Sequence, residues 1–351
     1  MGSDIKELRL NAARIKCMVL LMIALIKVQS VNFDRLAEDF GNDVELSSNL
    51  RRIQRFFASF YLPSDLISQL LFKLLPFEGP YRLSLDRTNW KFGKCNINIL
   101  VLSVIYKGVA LPILWTFLGD KRGNSNQKER TDLLKRFIRL FGLRAIEFIT
   151  ADREFVGDTW WQFLIEHKIS FFIRMRDNMK ITLPHKGEVK AFWLFNNLPL
   201  NMAYQYPKIV QVKGCSVYLS GLKYLNQNGN LEYLIVASFD KSQQALEFYK
   251  LRWQIETMFR AFKTAGFNLE DTHLKDYDRL DKLLTMVALA FVWAYKTGFY
   301  RDKEVKPIKI KKHGRPEKSL FAYGLEWLAQ VLINPFNHLG QKIITPFLSC
   351  T

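Results

Sequence analysis

The chain has 351 residues, more than one average domain, and its 51 lysines and arginines outnumber its 33 acidic residues, giving a formal net charge of +18. This charge favours a polyanionic partner, either nucleic acid or an anionic membrane surface. The longest apolar run, residues 17–26, is about half as long as a bilayer-spanning helix, which argues against a membrane protein and a signal peptide. The four cysteines have neither zinc-site nor disulfide spacing, which fits a cytoplasmic protein.

The first part of the chain is predicted to be helical. The expected helices are residues 5–27, 32–41, 47–60 and 64–76. A short helix, a turn and an arginine-bearing helix loosely resemble a helix-turn-helix, in which Arg51, Arg52 and Arg55 would face DNA. The alternative is a small helical bundle with solvated arginines.

From Tyr81 the periodicity becomes that of strands. A strand ending near Asp86, a β-branched strand over residues 96–106 and a strand over 109–118 predict a meander that turns at Lys107-Gly108. A helix, a strand carrying Asp152 at its carboxyl end, a second helix and a fifth strand follow. This order predicts an α/β protein with a ribonuclease-H-like core, a mixed sheet flanked by helices.

The remaining segments divide the chain into five predicted parts. Short strands, one of them within residues 190–199, and a hairpin turn at "NQNGN" predict a β-rich insertion before the core resumes. The parts are a helical DNA-binding domain over 1–76, the first part of the core over 77–176, the insertion over 177–245, the second part of the core over 246–300 and a basic C-terminal region over 301–351.

Three carboxylates stand where such a core gathers its ligands. Asp86 and Asp152 lie at or near carboxyl ends of strands, and Glu256 lies on a helix after the insertion. Three acidic side chains would repel a phosphodiester unless they hold cations. Carboxylates suit two Mg²⁺ ions, for which Mn²⁺ may substitute, and such ion pairs act on phosphodiesters. The sequence therefore predicts that these three residues are metal ligands and catalytic.

The segment "FYKLRWQIETMFRAFKTAG", residues 248–266, is predicted to be one amphipathic helix. At 100° per residue, Tyr249, Arg252, Glu256 and Lys263 fall within about 60° of one another. We expect Arg252 and Lys263 to bind phosphates and Tyr249 to bind a phosphate or stack on a base. The alternative is an exposed face with an Arg252–Glu256 pair at i,i+4, worth a few tenths of a kcal/mol.

The spacing Tyr-x2-Arg-x3-Glu-x6-Lys in this segment resembles the signature of the insertion-sequence-four family of DDE transposases from bacterial insertion sequences. The stretches "SLDRTNW" and "ITADREF" resemble that family's two aspartate strands, and a β-rich insertion before the glutamate is also a family feature. Residues 311–328 resemble its C-terminal end, so the similarity covers roughly residues 50–328.

The resemblance implies cut-and-paste DNA transposition catalysed by Asp86, Asp152 and Glu256 with Mg²⁺. The implied partners are double-stranded DNA, as terminal inverted repeats and target DNA, and a second copy of the chain in a dimer, with no membrane. Hairpinned transposon ends are also implied, with an insertion aromatic stacking on a flipped base. Its candidates are Trp193, Tyr204 and Tyr218. The expected location is the bacterial cytoplasm, at the nucleoid when bound to DNA.

A basic run near the C-terminus adds a candidate DNA contact. Lys311 and Lys312 come directly before "HGRP", whose arginine is Arg315 and which is similar to arginine hooks that enter the minor groove. A solvated basic run is the alternative.

Two further functions stay open for the whole chain. One is a nuclease of the same core that does not join DNA. The other is a non-catalytic or decayed protein that binds transposon ends. The intact carboxylate set argues against decay, because a binder gains nothing from buried, repelling carboxylates.

Overall fold

The structure is a computed structural model that describes residues 12–40, 44–119, 123–184, 186–312 and 314–333. The chain forms two compact units. The helical unit comprises Met1–Pro76, Trp90–Cys95 and Phe259–Thr351, and the sheet unit comprises Phe77–Asn89 and Asn96–Met258.

The core of the sheet unit has the predicted ribonuclease-H-like architecture. Its strands are β1 (Tyr81–Phe92), β2 (Cys95–Tyr106), β3 (Val109–Phe117), β4 (Ile146–Ala151) and β5 (Phe171–Met175). They lie in the order β3-β2-β1-β4-β5, with β2 and β3 antiparallel and with β4 parallel to both β1 and β5. This sheet is flanked by two helices, α5 (Gln127–Phe141) and α6 (Asp158–Glu166). The helices that precede them along the chain belong to the helical unit. The predicted fold class is confirmed.

Local sequence explains these elements. Strand β2 is buried from Ile97 to Ile105, so its sequence there is apolar apart from Asn98 and Ser103. It turns through Lys107 and Gly108, whose φ angles of 41° and 84° are those of a tight hairpin turn. Helix α5 begins with a capping box in which Asn126 and Glu129 each accept the other's backbone N–H.

Alternation along the strands gives the sheet two apolar faces. On one face, Phe171 packs on Trp161 of α6. On the other, Phe148 and Phe172 pack on Phe248 of helix α7, Ala245–Lys250. Because neighbouring residues of a strand point to opposite faces, even-numbered residues of β4 and β5 face α7.

The β-rich insertion extends the same sheet. Its strands are β6 (Lys180–Leu183), β7 (Gly187–Lys190), β8 (Tyr204–Gln205), β9 (Val210–Val212), β10 (Cys215–Leu225) and β11 (Leu231–Ser238). Strand β11 pairs antiparallel with β5, and the predicted hairpin turn joins β10 to β11. The strand expected within residues 190–199 is wrong, because Ala191–Leu194 forms a 3₁₀ turn.

The prediction that the first strand ends near Asp86 is also wrong. Strand β1 runs on to Phe92, since beyond Leu85 it continues as a hairpin with β2. Its parallel pairing with β4 does stop at Leu85, opposite Ala151. Asp86 is therefore the first residue of β1 beyond the parallel ladder.

The helical unit confirms the predicted helices within the described residues. They are α1 (Ala12–Val28), α2 (Phe33–Glu38), α3 (Leu46–Ser59) and α4 (Ser64–Lys73), followed later in the chain by α9 (Tyr277–Tyr300) and α10 (Leu320–Ile333). Residues 5–11 and Gly41, which the sequence also assigned to helices, lie outside the described residues. Helix α8, Trp253–Phe262, begins in the sheet unit and ends in the helical unit.

Among the described residues, the apolar stretch Tyr277–Val305 is long and apolar enough to cross a membrane by length and composition. However, 78% of its most apolar window is buried inside the protein. That burial is the one expected of a core helix.

Helices α9 and α10 approach each other through two glycines. A Cβ added at Gly298 would lie 1.9 Å from the carbonyl oxygen of Leu320, and one added at Gly324 would lie 1.8 Å from that of Ala294. Both obstacles are backbone atoms, so the helices must move apart to admit a methyl group.

We predict that Gly324→Ala destabilises the protein by about 3 kcal/mol, because overpacking at a rigid crossing cannot be relieved by a side-chain rotation. The measurement is the urea midpoint, with Gly123→Ala as the control, since nothing lies within 4 Å of a Cβ at Gly123. Equal midpoints for the two variants would contradict the close crossing.

Candidate active site

The two predicted aspartates are neighbours at the carboxyl edge of the parallel strands. The paired positions Leu85 and Ala151 are the last of the β1–β4 ladder, and Asp86 and Asp152 follow them directly. Since adjacent strands lie about 4.8 Å apart, both side chains leave the same face of the sheet side by side. This face is the one that α7 covers.

Tyr249 of α7 reaches Asp152. Its phenol oxygen lies 3.3 Å from Oδ1 of Asp152, and its side chain is buried. Burial raises the pKa of Tyr249, so the phenol stays protonated and donates this hydrogen bond to the carboxylate.

Arg252 joins the other two carboxylates. Its Nη1 donates to Oδ2 of Asp86 at 2.8 Å, and its Nη2 donates to Oε1 of Glu256 at 2.5 Å. The predicted Arg252–Glu256 pair thus exists, but the Arg252 side chain is only 8% exposed, against 37% for Glu256. The guanidinium thus lies buried between two predicted catalytic residues, and because the Asp86 side chain is only 15% exposed, the value of an exposed surface pair does not apply to the Arg252–Asp86 pair.

The prediction of one continuous helix over residues 248–266 is wrong. Helix α7 ends at Lys250 and α8 starts at Trp253. Between them the amides of Leu251 and Arg252 bond to carbonyls three residues back, which tightens the turn to about three residues. This change of phase directs Arg252 towards the aspartates.

Lys263 follows α8 in the helical unit. Its Nζ forms an ion pair with Glu270 at 2.7 Å and lies 6.0 Å from the centre of the Trp90 ring. The structure therefore assembles Asp86, Asp152, Glu256, Tyr249 and Arg252 within the sheet unit, whereas Lys263, Glu270 and Trp90 belong to the helical unit. Phosphate binding by Tyr249, Arg252 and Lys263 stays a prediction.

Asp86 has an unusual acidity. Burial raises its pKa from 3.8 to about 7, against the opposing effects of Arg252 and of the Arg87 backbone N–H, and the nearby charges of Glu154 and Asp152 add to the rise. Ionised Asp86 is therefore disfavoured in the folded protein despite its bridge to Arg252.

We predict that Asp86→Asn stabilises the protein at pH 8 in EDTA by up to about 4 kcal/mol, the value of a pKa rise from 3.8 to about 7. Between pH 3.8 and about 7, Asp86 is protonated in the folded protein and ionised in the unfolded chain. The contribution of Asp86 to stability is therefore full below pH 3.8 and is lost as the pH rises through about 7. The gain should thus shrink towards pH 4, as measured by urea unfolding. A gain independent of pH would contradict this account.

Asp86, Asp152 and Glu256 offer the kind of donor atoms that a divalent metal ion requires. Carboxylate oxygens suit Mg²⁺ and Mn²⁺. Asp86 and Glu256 already share one positive group, the guanidinium of Arg252, which shows that both side chains are aimed at a common cation. In the part of the chain that the structure describes, no three His, Cys, Asp or Glu side chains converge on one point. The three carboxylates therefore have the right chemistry for a divalent metal ion. The guanidinium of Arg252 lies between two of them, Asp86 and Glu256.

Other predicted DNA contacts lie in the helical unit. Arg51 and Arg55 of α3 are exposed, whereas Arg52 is half-buried with its guanidinium 5.4 Å from the centre of the Phe40 ring. Lys311, Lys312 and Arg315 are exposed. Helices α2 and α3 pack together, which is compatible with both the helix-turn-helix and the bundle.

Two arginines near the site were missed from the sequence. Arg87 binds Glu154 through Nε and Nη2 at 3.3 and 3.2 Å, so Glu154 is engaged by a cation of its own. Arg174 of β5 is the neighbour of Asp152 in one row of the sheet, because the preceding residues Ile173 and Ala151 pair with each other. Arg87 stands directly after Asp86 in "SLDRTNW" but was given no role, and for Arg174 the usable signal is a charged residue within an apolar strand such as β5.

The family model described as "Transposase DDE domain" matches residues 82–293, which is more than half of the chain and includes Asp86, Asp152 and Glu256. No curated protein matches the chain.

Among solved structures, the chain is similar to the cryo-EM structure of the piggyBac transposase synaptic complex with hairpin DNA. The TM-score is 0.48 at 13% identity, over 93% of this chain and 72% of that one. The family match alone carries the assignment, while the narrower insertion-sequence-four resemblance stays a prediction. The chain belongs to the DDE transposase domain family.

Proposed function

We propose that this protein is an active DNA transposase of a bacterial insertion sequence, cutting DNA at transposon ends and joining the freed ends to target DNA. The observation that carries the proposal is the carboxylate set of Asp86, Asp152 and Glu256, in which Arg252 links Asp86 to Glu256 and Tyr249 holds Asp152. The family match spans all three carboxylates.

Asp86, Asp152 and Glu256 would hold divalent metal ions, Mg²⁺ or in its place Mn²⁺. When bound, such ions activate an attacking oxygen and stabilise the leaving one in phosphodiester chemistry. The protein's own groups prepare the carboxylates for this role. Tyr249 orients Asp152, and the buried Arg252 compensates the charges of Asp86 and Glu256.

The net charge of +18 supports DNA as the partner, since lysines and arginines that neutralise phosphates dominate affinity for DNA. Terminal inverted repeats and target DNA are the proposed substrates. A dimer that bridges two transposon ends is the proposed assembly, in the bacterial cytoplasm at the nucleoid.

We further propose hairpinned transposon ends as intermediates, with Trp193 stacking on a flipped base. Of the three candidate aromatics, Trp193 is 64% exposed, whereas Tyr204 and Tyr218 are half-buried. Stacking of a base on an exposed aromatic ring is worth about 1–3 kcal/mol, which helps to offset unstacking in the duplex.

The test is to identify the DNA products that the protein forms from a duplex carrying the terminal repeat found beside its own gene. With Mg²⁺ we expect nicks at the repeat end, then hairpin ends, then joined products when target DNA is added. Nicks without joined products would favour the nuclease of the same core. Binding without nicks would favour the non-catalytic binder.

A further inference from the structure

Two arginines of β1 form ion pairs with glutamates in or just after β4, one near each end of the β1–β4 ladder. At the amino end, Arg82 pairs with Glu147 at 2.9 Å, and these side chains are 44% and 34% exposed. At the carboxyl end, Arg87 pairs with Glu154 at 3.2 Å, and these side chains are only 14% and 18% exposed. The second pair is better shielded from water, where the attraction between opposite charges is stronger.

The guanidinium of Arg87 is held on several sides. Its Nε and Nη2 donate to the two carboxylate oxygens of Glu154 at 3.3 and 3.2 Å, which is a bidentate geometry. Its Nη1 donates to Asn98 of β2 at 3.2 Å, and its Nη2 also donates to Asn124 at 3.3 Å. Asn98 in turn donates to the carbonyl oxygen of Gly123 at 3.1 Å. One planar group therefore joins β2, the residues just before α5 and the turn after β4.

Both members of this pair lie within two residues of a predicted metal ligand. Arg87 follows Asp86 directly, and its backbone N–H donates to Oδ1 of Asp86 at 2.7 Å. Glu154 lies in the 3₁₀ turn after Asp152, where the N–H of Phe155 donates to the carbonyl oxygen of Asp152 at 2.9 Å. The Phe155 side chain is fully buried, which fixes this turn. The ion pair therefore links the two chain segments that follow the aspartates.

The two aspartates need such a link. Carboxylates that share one site repel each other until a metal ion is bound. The parallel β1–β4 ladder ends one position before Asp86 and Asp152, so it does not fix the spacing of these two residues. Without a further connection, the repulsion would favour a wider spacing. The Arg87–Glu154 pair supplies the connection beyond the end of the ladder.

We propose that the Arg87–Glu154 pair is a positioning element that keeps Asp86 and Asp152 at the spacing that a divalent metal ion needs. The inference rests on the proposed function, in which these aspartates hold metal ions. Because side chains alternate along a strand, Arg87 leaves the face of the sheet opposite to Asp86 and supports the site from behind. Both oxygens of Glu154 are engaged by Arg87, so Glu154 acts through the backbone and leaves metal binding to Asp152.

The test measures the affinity of the metal-free protein for Mn²⁺, without DNA, by electron paramagnetic resonance of the free ion. Arg87→Gln should bind Mn²⁺ about 10-fold more weakly than the unaltered protein. The direction is informative, because removing a nearby positive charge would by itself strengthen cation binding. The double variant Arg87→Gln/Glu154→Gln has the same net charge as the unaltered protein and should also bind about 10-fold more weakly.

The ion pair at the other end of the ladder supplies the matched control. Arg82→Gln removes an arginine from the same strand, about 13 Å along β1 from Asp86, and should leave the Mn²⁺ affinity unchanged. Arg87→Lys, which retains the charge without the planar fork, should keep part of the affinity and covers the case in which the glutamine variant does not fold.

A second readout separates positioning from general stability. In EDTA, the double variant should unfold at a higher urea concentration than Arg87→Gln, because neither charge of the pair is left unpaired, yet its Mn²⁺ affinity should stay low. The positioning role is overturned if Arg87→Gln binds Mn²⁺ as tightly as the unaltered protein or more tightly, or if the double variant regains the full affinity. If the unaltered protein binds no Mn²⁺, the proposed metal site fails and the positioning role fails with it.

Discussion

Replacing Asp152 by asparagine is expected to slow single-turnover cleavage of a terminal-repeat duplex on the order of 10³-fold, about 4 kcal/mol in activation free energy. The substitution keeps the size of the side chain and its contact with Tyr249 while removing the negative charge. Asp86→Asn and Glu256→Gln should act similarly, because the three side chains serve one site and their effects do not add.

The control for this loss is Asp158→Asn. Asp158 is another acidic residue close in sequence to Asp152, but it is exposed and accepts a hydrogen bond from Gln127 at 2.7 Å. We expect its variant to cleave at the rate of the unaltered protein. DNA binding in EDTA should be retained by all four variants. An Asp152→Asn protein that cleaves normally would show that the site has been assigned to the wrong residues.

The second large effect is expected at Arg252. In EDTA at pH 8, Arg252→Met should lower the free energy of unfolding by about 3 kcal/mol, because it leaves Asp86 and Glu256 close together without their shared cation. The loss should become smaller towards pH 5, where Asp86, with its pKa of about 7, is protonated. Urea unfolding at both pH values provides the measurement.

The response to Mg²⁺ should also distinguish the Arg252→Met variant from the unaltered protein. The carboxylates of the variant lack a competing guanidinium, so Mg²⁺ should raise its unfolding midpoint more than that of the unaltered protein. The exposed Arg260 offers a matched control, and Arg260→Met should show neither the loss nor the larger response. A loss independent of both pH and Mg²⁺ would mean that Arg252 contributes packing alone.

The sequence was sufficient for the core because its signals are local. Apolar runs, turn residues and helix caps fall in the order of a ribonuclease-H-like sheet, and Asp152 is readable because β4 ends directly before it. The position of Asp86 was misjudged because the end of a parallel ladder inside a longer strand depends on a distant partner.

The contacts of the site depended on tertiary structure. The tight turn at Leu251–Arg252 changes the direction in which the following side chains point. The positions of side chains around one straight helix therefore do not indicate that Arg252 bridges Asp86 and Glu256. The row that contains Arg174 exists only through strand register, which single-sequence patterns do not specify.

We propose that Asp86, Asp152 and Glu256 form a metal-dependent site for cutting DNA. Its most direct test is the cleavage rate of the unaltered protein on a terminal-repeat duplex in EDTA, Mg²⁺ and Mn²⁺. We predict no cleavage in EDTA and cleavage at the repeat end with either ion. A protein that binds the duplex but never cuts it with either ion, or that cuts it equally well in EDTA, would contradict the claim.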